Sequence, residues 1–269
     1  LNSKTYIIAW DGAIDNCLDI SRQLNGSDVN HVFYNVSSIE DQNSNWIRRP
    51  DIRYNRHFFS AMQDFIENGY DVFIFNTGDI AHPDYIGYTK YIETVFLENP
   101  ELGAFAPNNT NDVFSGVGSL LRDSSKYENL YLSTNTNGSY LALNKDIVEH
   151  MLKFYEWCSE TGTLDFSETK TGWGLDMSYC ALVLYLNRVI YRDSGVNMFH
   201  PKDQSYDNSD GNTEYKQVID AFKTFCAHVG FNEERVLSII ELTVKKVRDD
   251  SNAVNIKDVY SNPEKVAHA

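Results

Sequence analysis

The chain has no Cys-x-x-Cys pair: its four cysteines, Cys17, Cys158, Cys180 and Cys226, stand far apart. That spacing excludes a CxxC zinc knuckle and a redox dithiol, and predicts buried, reduced thiols. No hydrophobic run approaches the roughly 18 to 20 residues of a membrane-spanning helix. The opening Leu1-Asn2-Ser3-Lys4 lacks the apolar h-region of a signal peptide. A soluble, cytoplasmic protein with no membrane span is the expectation. Positive charge is scarce, 23 Lys and Arg against 38 Asp and Glu for a formal net charge of −15, so broad docking on nucleic acid is not expected. The densest basic group, Arg48-Arg49 with Arg53 and Arg56, is short and reads as a solvated rim able to meet only a small anion. Asn25-Gly26-Ser27 and Asn35-Val36-Ser37 match a glycosylation triplet but are read as composition. No internal repeat is visible.

What is present is apolar and aromatic content, 42% and 13% of 269 residues, enough for one large domain. Residues 5–10 form a short apolar run that stops at Asp11-Gly12, as a buried strand does on reaching a loop. A helix follows, with Asn16 as its cap and Cys17, Leu18, Ile20 and Leu24 as its apolar side. Residues 29–34 read as a second strand, and Tyr54, Phe58, Phe59, Met62, Phe65 and Ile66 recur at helical spacing. Residues 71–76 form a third strand. This alternation predicts an α/β domain with a mostly parallel sheet, whose ligands bind at the carboxyl ends of the strands.

Further along, 85–98 reads as helix, 102–106 as strand and 107–123 as a polar, lid-like loop. Strands are expected at 130–133, 139–144 and 189–192, with a helix from 146 to 157. A second helix, opening at Leu175, should keep one face apolar. Residues 204–212 read as a linker. Two amphipathic helices within 213–250, divided by Gly230, read as a cap or an oligomerisation element, and 251–269 as a flexible tail.

Three segments carry chemistry. In Thr171-Gly172-Trp173-Gly174-Leu175-Asp176, glycines let the backbone approach a ligand, and Trp173 offers a flat apolar face for a pyranose ring. Asp176, at a helix start, is a candidate base for a hydroxyl. The second segment, Phe75-Asn76-Thr77-Gly78-Asp79-Ile80, places Asp79 just past a strand end. It is the best carboxylate for magnesium or manganese. His200, before Pro201, is the best imidazole, and His82, before Pro83, is weaker.

In their order along the chain these segments resemble GT-A fold glycosyltransferases over roughly residues 5–201. The resemblance implies a GT-A-like, Rossmann-like catalytic domain over 1–203, with the C-terminal helices as an extension. It implies transfer of a hexose, from a nucleotide diphosphate sugar such as a UDP-sugar, to a hydroxyl of a glycan or glycoconjugate. Inversion and a divalent cation, Mn2+ or Mg2+, are part of the same expectation. Ala9, Trp10, Asp11, Thr77, Gly78 and Asp79 would then hold the nucleotide, and Asp79 and His200 the metal. Asn137, Gly138, Trp173 and Gly174 would read the sugars, and Asp176 would be the base. Thr77 stands where the family's Asp-x-Asp turn has its first acid.

Two other functions fit parts of the pattern. A sugar-nucleotidyltransferase would share the sheet and the metal carboxylate, but needs a Gly-rich triphosphate loop where Asp11-Gly12-Ala13 supplies one glycine. A domain that binds glycans or partner proteins without catalysis would explain Thr77. Homo-oligomerisation through the C-terminal helices is a further expectation.

Overall fold

In a computed structural model of the chain, residues 1–41, 43–49, 53–80, 82–109, 121–122, 129–136, 138–169, 171–198 and 211–244 are described. Among them a nine-stranded sheet runs in the order β3-β2-β1-β4-β8-β5-β9-β7-β6. The strands are β1 (Ser3–Ala9), β2 (His31–Asn35), β3 (Trp46–Arg48), β4 (Val72–Asn76), β5 (Leu102–Asn109), β6 (Leu121–Arg122), β7 (Leu130–Ser133), β8 (Tyr140–Asn144) and β9 (Val189–Met198). The helices are α1 (Ile14–Leu24), α2 (Tyr54–Glu67), α3 (Tyr85–Glu98), α4 (Lys145–Thr161), α5 (Leu175–Tyr185), α6 (Gly211–His228) and α7 (Glu233–Val244).

Strands β1 to β4 are mutually parallel, as the alternation of strands and helices predicts. Strand β8 then enters antiparallel between β4 and β5, and β5 pairs in parallel with β9. This reversal positions the site. A parallel strand delivers its carboxyl end to one edge of the sheet, and an antiparallel neighbour delivers its amino end to the same edge. Asn76, the last residue of β4, pairs with Tyr140, the first of β8. The turn before β8 therefore meets the turn after β4.

The central strands are buried on both faces, which is why they read as continuous apolar runs. Tyr6 and Ile8 of β1 join Phe73 and Phe75 of β4 in one cluster with α2, α4, α5, α6 and α7. Ile7 and Ala9 join Val72 and Ile74 in the opposite cluster, with α1 and α3. Each fully buried large side chain contributes about 1.5 to 3 kcal/mol, so strand register and site geometry are held by the same contacts.

Several local expectations are revised. A single turn of 3-10 helix at Asp11–Ala13 leads straight into α1, so Asn16 lies inside the helix and not at its cap. Its amide instead donates to the Asp79 carbonyl at 3.0 Å. Strand β3 was not anticipated: three residues with only Trp46 buried give no periodicity. Part of the expected 107–123 loop continues β5 to Asn109 and adds β6, while 110–120 lies outside the described residues. Helix α5 buries residues around its whole circumference, Ser178 and Cys180 included, because α6 and α7 cover the side turned away from the sheet. All four cysteines are buried thiols, as expected.

Candidate functional site

The site is built on the carboxyl edge of β1 and β4. Ala9 ends β1 and is buried. Trp10 follows, and its indole N–H donates to the carbonyl of Thr77 at 2.9 Å. The turn after β1 is thereby fastened to the turn after β4. Asp11 is exposed, and its carboxylate accepts from the amide and the hydroxyl of Ser38, each at 2.7 Å. Those two hydrogen bonds hold its carboxyl below the usual range, with the Arg48 charge adding to them.

Asn76 shapes the second turn. Its side-chain oxygen accepts from the Gly78 amide at 2.8 Å, while its amide donates to the hydroxyl of Tyr85. Gly78 has φ +84°, and a Cβ there would sit 2.0 Å from the carbonyl oxygen of Ile8. Only glycine lets this turn lie on β1. Thr77 reaches across to β8: its amide and hydroxyl face the Ser139 carbonyl at 2.9 and 3.2 Å. The same hydroxyl donates to the Asp79 carboxylate. The residue standing where an acid was expected therefore orients the acid that is present.

Gly138, next to Ser139, accepts from the Tyr54 hydroxyl at 2.9 Å. A Cβ built on Gly138 would lie 3.9 Å from the Asp176 Cβ. Hydrogen bonds therefore tie Trp10 to Thr77 and Thr77 to Ser139, and Gly138 faces Asp176 across the space that a methyl group would fill.

The glycines beside Trp173 are required for different reasons. At Gly172 a Cβ would meet the Tyr54 ring at 2.5 Å. Gly174 has φ +94°, and a Cβ there would lie 2.9 Å from Val218. Trp173 is half-buried and belongs to neither buried cluster, nor to the partly buried side chains packed on them. Asp176, half-buried in the first turn of α5, accepts from the amides of Gly174 and Met177 at 3.2 and 2.9 Å. A carboxylate there is favoured by the helix dipole. Tyr215 has its pKa raised by burial and secondarily by the Asp176 charge.

Two residues of this assembly carry no signal in the sequence. Tyr54, at the start of α2, stacks on Phe58 and edges onto Phe75 while serving both Gly138 and Gly172. Glu214 of α6 is 7% exposed, and its carboxylate accepts from the amide and hydroxyl of Thr171. An acid in the first turn of an amphipathic helix is ordinary, so nothing local marks it.

Asn137 and His200 lie outside the described residues. His82 is structural: its ring stacks on Tyr88 with centroids 4.7 Å apart, and its Nδ1 accepts from the Asp84 amide. The basic group is largely spoken for. Arg48 donates to the carbonyls of Ser37 and Ile39, Arg49 lies over the Tyr34 ring, and Arg53 bonds the Ser167 carbonyl. Asn35 is buried with its amide committed to Ile39 and Asp41, consistent with a structural role for that triplet.

Among the described residues no group of three or more His, Cys, Asp and Glu could hold a metal, and no helix is long and apolar enough to cross a membrane. Asp79 remains as a single oriented carboxylate. That donor suits a hard divalent cation that takes the rest of its shell from water and substrate phosphates. It does not suit a protein-caged ion.

No protein-family model and no curated protein matches the sequence. Solved structures do resemble it. S. aureus TarS superposes with a TM-score of 0.52 at 8% identity, over 96% of this chain and 77% of that one. The fold is that of GT-A glycosyltransferases. GalNAc-T7, crystallised with UDP, GalNAc and Mn2+, also gives a TM-score of 0.52, at 11% identity, over 97% of this chain. This chain spans 55% of that GalNAc-T7 structure. At such identities the GT-A likeness is one of fold.

Proposed function

We propose that this chain is a glycosyltransferase that moves a hexosyl group from a nucleotide diphosphate sugar, a UDP-hexose by preference, to a hydroxyl of a glycan or glycoconjugate, with inversion. The observation that carries this reading is that hydrogen bonds tie Trp10 to Thr77 and Thr77 to Ser139 on one edge of the sheet, while Gly138, next to Ser139, faces Asp176 across the space of a missing side chain. This arrangement supports the reading because it brings the turn after β4 towards a carboxylate at a helix start, on the edge where α/β sheets bind ligands.

In this reading Ala9, Trp10 and Asp11 receive the base and ribose, and the turn of Thr77, Gly78 and Asp79 receives the diphosphate. Gly138, with Asn137, Trp173 and Gly174, reads the sugars. The acceptor oxygen attacks the anomeric carbon as its proton passes to Asp176. The bond from that carbon to the diphosphate oxygen breaks, and nucleoside diphosphate leaves with the electron pair. Asp79, assisted by His200, would hold Mg2+ or Mn2+, which supplies charge stabilisation to the departing diphosphate. Asp79 is kept in place for this by the Thr77 hydroxyl and by Asn16 on its carbonyl.

The test is UDP release from UDP-glucose, UDP-galactose and UDP-N-acetylglucosamine with Mn2+ and a panel of saccharide acceptors. Asp79→Ala should abolish metal-linked UDP affinity. No release from any donor, together with unchanged UDP binding in Asp79→Ala, would remove the proposal. Thr77 in the place of an acid favours one competing reading, a catalytically degenerate binding domain. Calorimetric titration with UDP, with and without Mn2+, separates the two, because a pure binding module shows no metal-linked nucleotide affinity.

A further inference from the structure

We propose that Glu214 is a positioning residue for transfer: its carboxylate fixes the loop that carries Trp173 and leads into Asp176. The inference rests on the glycosyltransferase reading above. Residues 171–174 lie outside any helix or strand, so their shape is imposed from outside. On one side stands the Tyr54 ring under Gly172. On the other stands α6, with Val218 and the Tyr215 carbonyl against Gly174.

Glu214 adds a directional hold. One oxygen, Oε2, accepts from the Thr171 amide at 2.9 Å and from its hydroxyl at 2.7 Å. The Thr171 hydroxyl oxygen in turn accepts from the Trp173 amide at 3.3 Å. The carboxylate thus reaches the backbone of Trp173 through a single intervening residue.

Burying a carboxylate carries a desolvation cost, and the formal net charge of the chain is already −15. Seating α6 does not require it, since Val218, Ile219 and Phe222 already pack into the core. What the carboxylate adds is a fixed loop conformation. Small displacements of reacting groups are costly in rate, so this hold is expected to appear in turnover.

Because one oxygen accepts both bonds, the side-chain carbonyl of glutamine can replace it and alanine cannot. This separates positioning from a role for the charge itself. Glu214 also lines a cleft of about 250 Å³ with Asp165, Glu168 and Gln217, and a cation held there would be bound more weakly in both variants.

The experiment compares the wild-type chain, Glu214→Gln and Glu214→Ala. Thermal melts establish that each is folded, and UDP titration follows the donor side. Turnover is measured with the best UDP-hexose and saccharide pair from the panel above, and amide exchange is followed across 171–174. Expected for Glu214→Ala is a fall in kcat of roughly 10- to 100-fold, with UDP affinity unchanged and faster exchange in the loop. Glu214→Gln should stay within about threefold of wild type in kcat, as an interaction preserved in the transition state would.

Wild-type kcat in Glu214→Ala, or a folded Glu214→Gln as impaired as Glu214→Ala, overturns the proposal. Absence of UDP release from the wild type overturns the transferase reading and the catalytic half of the proposal with it. Unchanged exchange across 171–174 in Glu214→Ala overturns the hold on the loop, whatever the chemistry.

Discussion

The Tyr54 hydroxyl donates to the Gly138 carbonyl at 2.9 Å, while the edge of the same ring occupies the space a side chain at position 172 would need. One residue of α2 therefore spaces the turn before β8 from the loop before α5. Tyr54→Phe keeps the ring and removes the hydrogen bond, a loss of about 0.5 to 1.5 kcal/mol. Denaturant unfolding should show a change of that size. Turnover should fall more than stability does, with UDP affinity held. Equal turnover in variant and wild type would show that this spacing is irrelevant to activity.

Steric and conformational glycines respond differently to a second substitution. At Gly172 the obstacle is the Tyr54 ring, with a Cβ contact of 2.5 Å; at Gly174 it is also a backbone of φ +94°. Gly172→Ala should destabilise wild type but cost much less in a Tyr54→Ala background, an interaction energy within the 0.5 to 3 kcal/mol typical of touching residues, roughly. Gly174→Ala should remain destabilising in a Val218→Gly background, because the φ +94° strain and the Tyr215 carbonyl at 3.1 Å both stay. A double-mutant cycle by denaturant melts gives both numbers, and additivity at Gly172 would contradict the steric account.

How much of this was legible in the sequence depends on where each partner lies. The turns at Asp11 and Asp79 follow apolar runs and were visible because strand and breaker are adjacent in sequence. The same holds for α3, whose expected limits of 85–98 are those found. The antiparallel entry of β8 was not readable, since alternation of side chains carries no strand direction. It is nevertheless what brings Gly138 to Thr77. Tyr54 and Glu214 were missed for a related reason. Their partners, Gly138 and Thr171, lie 84 and 43 residues away, and each residue looks locally like an ordinary helix position. Helix α5 was expected to have one apolar face, because the helices that cover its outer side are not local to it.

Gly78 and Gly26 make a matched pair for separating strain from collision. Both have positive φ, +84° and +74°, but a Cβ at Gly26 meets nothing within 4 Å, while at Gly78 it would sit 2.0 Å from the Ile8 carbonyl oxygen. Gly26→Ala should cost only the left-handed backbone, about 1 to 2 kcal/mol. Gly78→Ala should cost more and lower Tm further than Gly26→Ala does, at about 2 to 4 °C per kcal/mol for a chain of this size. UDP affinity should fall with it, since the turn carrying Asp79 must move. Equal melting temperatures for the two variants would mean that the turn is not pressed against β1.

Asp193 of β9 supplies a pH signature. It is buried at 2% exposure, and burial pushes its carboxyl above the ordinary 3.8 despite hydrogen bonds from the amides of Gly195 and Val196 and from the Tyr88 hydroxyl. The folded pKa is raised relative to the unfolded one. Its contribution to stability is therefore fully present below the unfolded value and is lost as pH rises through the folded value. Asp193→Asn abolishes this titration. Wild type and variant should melt most alike near pH 4, roughly the unfolded carboxyl value. The variant should then gain on the wild type as pH rises towards neutrality. A variant whose Tm falls relative to wild type as pH rises would reverse the sign and refute the burial argument.

Asp176 could be a base or only the acid that starts α5, and one substitution distinguishes these. In Asp176→Asn the side-chain carbonyl can still accept from the Gly174 and Met177 amides, as Oδ1 does now at 3.2 and 2.9 Å. The helix-dipole contribution of the charge is lost, about 0.3 to 1 kcal/mol. Stability should therefore change little, and UDP affinity not at all, since the proposed role of Asp176 is on the acceptor side. A neutral amide cannot take the acceptor proton, so kcat should fall by roughly 10²- to 10⁴-fold. The two roles thus diverge in one variant: a cap alone leaves transfer intact at nearly unchanged stability, whereas a base leaves a folded, UDP-binding protein that does not turn over.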